Sequence, residues 1–477
     1  FFYQPQGLGF APENGDSLFL YFRNKTNQWI RMWQSKGTPL QAFKAVMIPL
    51  SDTQFLHASF QFRFVNLASM NTNDDVWNLD YIKLDASRNQ ADSTLNDVAF
   101  TLPPGNLLKN YQSMPYRHYM ANQSNETAAD LTMEVRNGYA IPYPVSIRLD
   151  AKEMYSSTPI NTQSLPSTAV GAKSYLGFTL PVYSTTYTAP GLHSTVWFRN
   201  RYFFDPVNGS DKSNNDTIDQ DQVFDNYFAY DDGTAEKSYF LLNAINFPAK
   251  TALQFTLNQS DTLRGLMVHF GAQLPSAAGK YFSMVLYKTL GTASSNDSVI
   301  LQEDLYQVMY EAGYNGFTTY AFSTPPVLQA GTYYMGITQP ANFGSDSIYY
   351  GLDVNTQGNA QHLYYNVDGT WNASTANGSI MMRPMVGQAF TPSILIEPTT
   401  MVSVIELYPN PVSSFLYIEP HGTSLKEAEV FSLTGQSEGR LLLQNTQVDV
   451  SHLPAGIHFI RFRTEDGNCI TKKFYKL

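Results

Sequence analysis

The sequence predicts an all-β chain, a tandem of β-sandwiches (jelly-roll and Ig-like) that ends in a small Ig-like module. Three observations carry this. Tyr and Phe number 31 each and supply most of an aromatic share of 14%, and such side chains fit the pleated, half-buried surface of strands better than helices. Short runs with period-two alternation, bounded by Asn, Asp, Gly and Pro, recur throughout, while helical periodicity is scarce. Charged residues make up only 15% of the 477, against about 25% in an average protein. Asn, Gln, Ser and Thr must then supply much of the polar surface, a mixture that suits an extracellular all-β protein.

At about one domain per 150 residues, the length allows three or four cores. Residues 1–96 carry candidate strands at 17–22, 29–33, 43–48, 55–65 and 76–84. A complete jelly roll takes about eight, so this domain reads as one truncated at its start, with sequence missing upstream. Residues 97–205 alternate most clearly at 131–135, 145–149, 174–180 and 195–204, the spacing of an Ig-like sandwich. Residues 206–222 are polar and nearly free of large apolar side chains, which marks a linker. Residues 223–390 are long enough for a full jelly roll, with strands expected at 237–242, 252–257, 262–270, 281–288, 332–338 and 361–366. A second linker, 391–403, carries two prolines that break any ladder. The terminal module is 404–477.

The net charge of -10 is spread thinly, with no basic patch interleaved with aromatics, so nucleic acid is not an expected partner. No apolar stretch approaches the roughly 20 residues that span a membrane. Cys469 stands alone, which excludes a disulfide framework or a Cys-based zinc site within one chain and reads as a half-buried strand residue. The chain opens at Phe1 without a charged n-region or apolar h-region, so a signal peptide was removed or the sequence is a fragment.

No nucleophile elbow, zincin motif, P-loop or dinucleotide fingerprint occurs. The eight histidines stand apart with no i, i+4 pair, and lone histidines on strands are usually surface or satisfied groups. No carboxylate pair is nominated for glycosidase chemistry, and no enzymatic activity is expected of this chain. Two acidic groups suit Ca²⁺, a hard cation that takes about six to eight oxygens. Asp75 and Asp80 flank Trp77 in an arrangement similar to that of concanavalin-like jelly rolls in carbohydrate-binding and adhesive modules. Period two puts Asp80 on the opposite face from Trp77, and a loop of Asx turns before a buried Trp explains the same residues. Asp231 and Asp232, with Glu236, form the second group, which reads equally as a solvated turn. For sugar stacking, Tyr310, Tyr314, Phe317, Tyr320, Tyr349 and Tyr350 are candidates, though alternating aromatics in a sandwich are mostly core.

In the terminal module, Tyr408-Pro409-Asn410-Pro411 is a turn whose prolines fix φ. Strands are expected at 415–418, 429–433, 448–450, 457–464 and 470–475, with turns at Thr434-Gly435, at LPAG (453–456) and at Asp466-Gly467. The motifs YPNP (408–411), VFSLTGQ (430–436) and LPAGIHFIRF (453–462), with a basic ending at Lys472, Lys473 and Lys476, stand in order. With them the module resembles the type A C-terminal sorting domain of proteins exported by the type IX secretion system of Bacteroidetes. The resemblance covers residues 404–477. It implies that the folded cargo crosses an outer-membrane translocon. A shuttle barrel then carries it to a sortase-like peptidase, which usually removes the module and attaches the cargo to a surface glycolipid. The chain is then expected to be secreted or attached to the cell surface, in a molecule described before or without that cleavage. The residues expected to carry the signal are Tyr408, Pro409, Asn410, Pro411, Leu433, Gly435, Pro454, Gly456, Lys472 and Lys473. A folded signal presents an edge strand and a shaped face, and the last strand is expected to offer free pairing groups. The lysines serve docking or keep that edge from pairing with other chains.

Asp followed by Ser or Thr recurs in a pattern that resembles the O-glycosylation motif of exported Bacteroidetes proteins. The acceptors would be Ser17, Ser93, Thr217, Thr262, Ser298 and Ser347, and Asp-Ser turns are the alternative. The expected role is non-catalytic: adhesion, gliding motility, or binding of a surface polysaccharide or other polymer. Alternatives are the accessory C-terminal half of a secreted hydrolase with its catalytic domain upstream of residue 1, and a structural spacer without a ligand.

Overall fold

The structure, a computed structural model, describes all residues except 70–74, 87–95, 206–214, 243–246, 274, 293–295, 341–346, 391–404, 421–423, 433–436, 443–445 and 465–468. Strand is nearly its only regular structure, as the composition predicts, and its described α-helices are two short turns, Tyr116–Ala121 and Gln123–Glu126. The chain divides into two compact units, Phe1–Ser393 and Ile394–Leu477.

The first unit opens with two small antiparallel sheets. In one, Phe2–Pro5 lies between Lys44–Ala45 and Trp77–Asp80; in the other, Ser17–Arg23 lies between Trp29–Lys36 and Phe62–Leu67. From Leu18 onward this strand alternates: Leu18, Leu20 and Phe22 are buried, while Phe19 and Tyr21 face the other way and are half-buried. The core here is small and aromatic, with Leu20, Phe22 and Phe55 packed by Ile30, Trp33, Phe60 and Phe64, and Phe1 set edge-on 5.2 Å from Trp33. The expected strand 43–48 shortens to Lys44–Ala45, and the expected strand 55–65 begins only at Phe62. Asp52 explains the second difference. Its Oδ1 accepts the Gln54 N–H and its carbonyl the Phe55 N–H, so Phe55 enters the core from a turn. Phe2–Pro5 was not foreseen, because a four-residue run ending in Pro is a weak strand signal.

Residues 98–386 share one continuous core. Its earlier part is a four-stranded sheet in the order Pro159–Ser164, Ile147–Glu153, Val196–Phe204, Thr217–Phe224, with a three-stranded sheet of Tyr175–Pro181, Asp130–Asn137 and Val98–Leu102. Its later part is a six-stranded sheet centred on Gly331–Gln339 and Ala249–Leu257, with further strands around Asp261–Val268. The expected linker 206–222 is corrected on its described side. Thr217–Phe224 is a strand that pairs along Val196–Phe204, because its inward residues, Gln222 and Phe224, are buried while its Asp residues face out to Arg199 and Arg201. Residues 206–214 and the expected linker 391–403 lie outside the described residues.

The second unit is a two-sheet sandwich. Glu406–Tyr408, Phe415–Glu419 and Gln447–Asp449 form one sheet, and Ser437–Leu442, Leu425–Ser432, Gly456–Thr464 and Cys469–Lys476 the other. Leu416, Ile418, Val430, Val448, Ile460, Phe462 and Phe474 fill its core. Two strands, Glu406–Tyr408 and Ser437–Leu442, add to those read from sequence.

Candidate sorting surface and acidic clusters

The YPNP turn is tied to the last strand of the second unit. Asn410 Oδ1 accepts the Tyr475 N–H at 2.8 Å and its Nδ2 donates to the Lys473 carbonyl at 3.3 Å. Val412 N–H donates to Tyr475 O at 2.8 Å, and Leu477 N–H to Val412 O at 2.9 Å, in a parallel bridge. The expectation of a free edge along this strand is therefore corrected at its C-terminal end, where Asn410 and Val412 occupy the outward groups. Tyr408, Pro409, Asn410 and Pro411 are exposed, and Tyr408 stacks on Tyr417 with ring centres 5.7 Å apart.

The LPAG turn arrives at the same end, since Gly456 pairs with Lys476. Gly456 has φ +146°, a conformation that L side chains rarely adopt. Pro454 is exposed, and its carbonyl accepts from His458 Nε2 at 2.8 Å, while His458 Nδ1 meets Glu438 Oε2 at 2.5 Å. His458 is 3% exposed and was read from sequence only as a lone histidine. It stands two residues after Gly456 in the same motif, and its ring folds back onto the turn it anchors. Lys472 and Lys473 pair with Ile460 and Phe459 further along the strand, and Lys473 Nζ lies 5.2 Å over Tyr475. Leu433 and Gly435 fall outside the described residues.

The acidic candidates separate. Asp231 is buried and gives its carboxylate to Arg383, with Nη2 at 2.5 Å from Oδ1 and Nε at 3.1 Å from both oxygens. Arg383 in turn lies 4.0 Å over Phe317. Asp232 belongs to a different knot. Its Oδ1 accepts Thr234 N–H and Oγ1, its Oδ2 accepts Asn355 Nδ2, and Glu236 accepts from Asn355 and from Val354 N–H. Beneath it, buried Asp353 accepts the N–H groups of Asp232, Asn355 and Thr356, and burial pushes its carboxyl up to about 6. These oxygens are largely met by the chain's own donors. Asp80 is exposed and accepts the N–H of Tyr81. Asp75 meets neither Asp80 nor Asp231 and groups instead with Glu13 and Asp16. A further pair, Asp97 and Asp216, went unnoticed in sequence: both are buried, each has an oxygen without a hydrogen-bond partner, and burial, then Asp97, raises the Asp216 carboxyl.

Of the glycan acceptors, Thr217 and Ser298 are exposed and Thr262 is half-buried. Ser17 and Ser347 are 5% exposed and hydrogen-bonded, to Gln34 and Leu241. Ser93 is outside the described residues. Among the aromatic candidates, Tyr320 and Tyr350 are core, Tyr310 is partly buried against that core, Tyr349 stacks on Phe240 at 4.5 Å, and Tyr314 is 87% exposed.

Residues 406–476 match the secretion system C-terminal sorting domain family. The match bears out the resemblance read from the four motifs: the chain is a type IX cargo, exported across the outer membrane to the cell surface or beyond. No curated protein matches the chain. Among solved structures, 46 chains match. One is Salmonella alpha-2-macroglobulin reacted with methylamine, at 9% identity and a TM-score of 0.18, covering 96% of this chain. This chain spans 37% of that one, and the score is too low to bear on fold or function.

Proposed function

We propose that the sorting domain exports a binding protein whose upstream unit, Phe1–Ser393, acts without catalysis at the cell surface, in adhesion or surface motility, by holding an anionic polymer. One observation carries the reading. On the sheet of Ser17–Arg23, the face turned from the core bears Phe19, Tyr21 and Trp29, with Tyr21 in register between Arg31 and Arg63. Arg31 lies 5.6 Å over Phe19, and Arg63 lies 5.5 Å over Tyr21 and 4.3 Å over Trp29. A guanidinium stacked on a ring keeps its N–H edge available to anions, and neither arginine makes an ion pair among the described residues. Rows of aromatic rings also suit the apolar faces of sugars. On a chain of net charge -10, a cationic aromatic face stands apart from its surroundings.

An array of acidic and neutral glycans probed with the intact chain tests the reading. Binding to acidic glycans is expected, weakening as salt rises, with a loss of at least about tenfold in a Trp29→Ala, Arg63→Ala chain, each of the two side chains being worth about 1 kcal/mol. Binding to no acidic polymer, or equal binding by the variant, would end it.

A further inference from the structure

Two loops of the first unit bring three carboxylates together. Glu13 and Asp16 stand ahead of strand Ser17–Arg23, Asp75 stands ahead of strand Trp77–Asp80, and one carboxylate oxygen of each lies within 4.8 Å of the other two. Three carboxylate oxygens at this spacing repel one another, so the group is short of positive charge. Asp75 sharpens the point. It is 1% exposed; its Oδ2 accepts the Ser69 N–H at 2.5 Å, and its Oδ1 is buried with no hydrogen-bond partner. A buried carboxylate oxygen without a donor is unfavourable unless a cation meets it. Asp16 spends Oδ2 on the Glu13 N–H at 2.7 Å, which leaves its second oxygen for another partner.

The donor set is all oxygen and all carboxylate, graded from buried Asp75 to exposed Glu13. Soft metals prefer sulfur and nitrogen. Mg²⁺ demands near-octahedral geometry and gives up water reluctantly, whereas Ca²⁺ accepts an irregular shell of about six to eight oxygens. The open side at Glu13 admits water to complete such a shell. We propose that Glu13, Asp16 and Asp75 form a calcium site. The ion would join the loop that leads into one N-terminal sheet to the turn that leads into the other, replacing carboxylate repulsion with a crosslink between sheets whose common core is small.

Calcium titrated into the intact chain after chelator treatment, followed by calorimetry and by thermal unfolding, tests this. Binding is expected between roughly 10⁻⁵ and 10⁻³ M, from the weak edge of sensor sites to extracellular modules, with a rise in Tm that equal Mg²⁺ does not reproduce. Glu13→Gln alters an exposed side chain and should fold, yet bind at least about tenfold more weakly. Asp75→Asn should bind more weakly still if it folds, and Asp232→Asn should leave the affinity unchanged. The proposal fails if calcium at roughly 10 mM, above the extracellular range, gives neither heat nor a Tm shift. It fails equally if Glu13→Gln binds like the parent, or if Asp232→Asn abolishes binding.

Discussion

His118 sits without exposure between a donor and an acceptor. Its Nδ1 accepts the Asn258 N–H at 3.1 Å, so the proton lies on Nε2, 2.8 Å from Asp261 Oδ2. Burial, with the Arg117 cation beside it, pulls the ring down to about 3, and Arg117 pairs with the same Asp261. A histidine neutral in the folded state and protonatable in the unfolded one stabilises fully above its free pKa and loses that contribution as pH falls toward 3. Between pH 7 and 5 the loss should be about 2 kcal/mol. Urea unfolding of the parent and of a His118→Gln chain at both pH values measures it as the difference between their two responses, the variant lacking this loss; parallel slopes would contradict the assignment. Asp353, raised to about 6, contributes the opposite slope over part of this window, and it does so in both chains. In the sequence His118 is one of eight scattered histidines with no i, i+4 partner. Its partner Asp261 lies 143 residues away, and no local pattern reports a contact of that span.

The last strand of the sorting unit shows what a motif means as an element. YPNP was legible as a turn from its prolines, and the alternation of 415–418 was legible because Leu416 and Ile418 point inward. The use of Asn410 was not legible, since it pairs with Tyr475, a residue 65 positions on. Asn410→Ala should cost about 1 kcal/mol, the usual net worth of a hydrogen bond, and should speed exchange of the Tyr475 amide while leaving that of Phe462 unchanged. Unchanged exchange at Tyr475 would mean that Val412 alone holds the end. The strands missed in this unit, Glu406–Tyr408 and Ser437–Leu442, are short or rich in Gly and charge, and pairing with stronger neighbours makes them strands where their own propensity does not.

For the first unit as a whole, the all-β class followed from composition and alternation, but the partition of its middle did not. A polar stretch reads as a boundary whenever local composition is the only guide. Here Phe224 and Phe228, just beyond that stretch, sit in the same buried cluster as Phe198 from before it and Phe255 from after it. A protease site inserted between 206 and 214, once cut, should leave the two parts associated and unfolding in one transition. Phe228→Ala should lower that transition by about 3–5 kcal/mol. Separate transitions would restore two independent domains. The sorting unit carries its own core and a different consequence. Force entering from the upstream side passes Ile405 and reaches Val412, whose bonds to Tyr475 and Leu477 bridge parallel segments. Held near Leu477 and pulled from 405, such a bridge is sheared along its length, and its hydrogen bonds must fail together instead of one after another. The clip at YPNP thus sets this small sandwich to resist traction applied between residue 405 and Leu477.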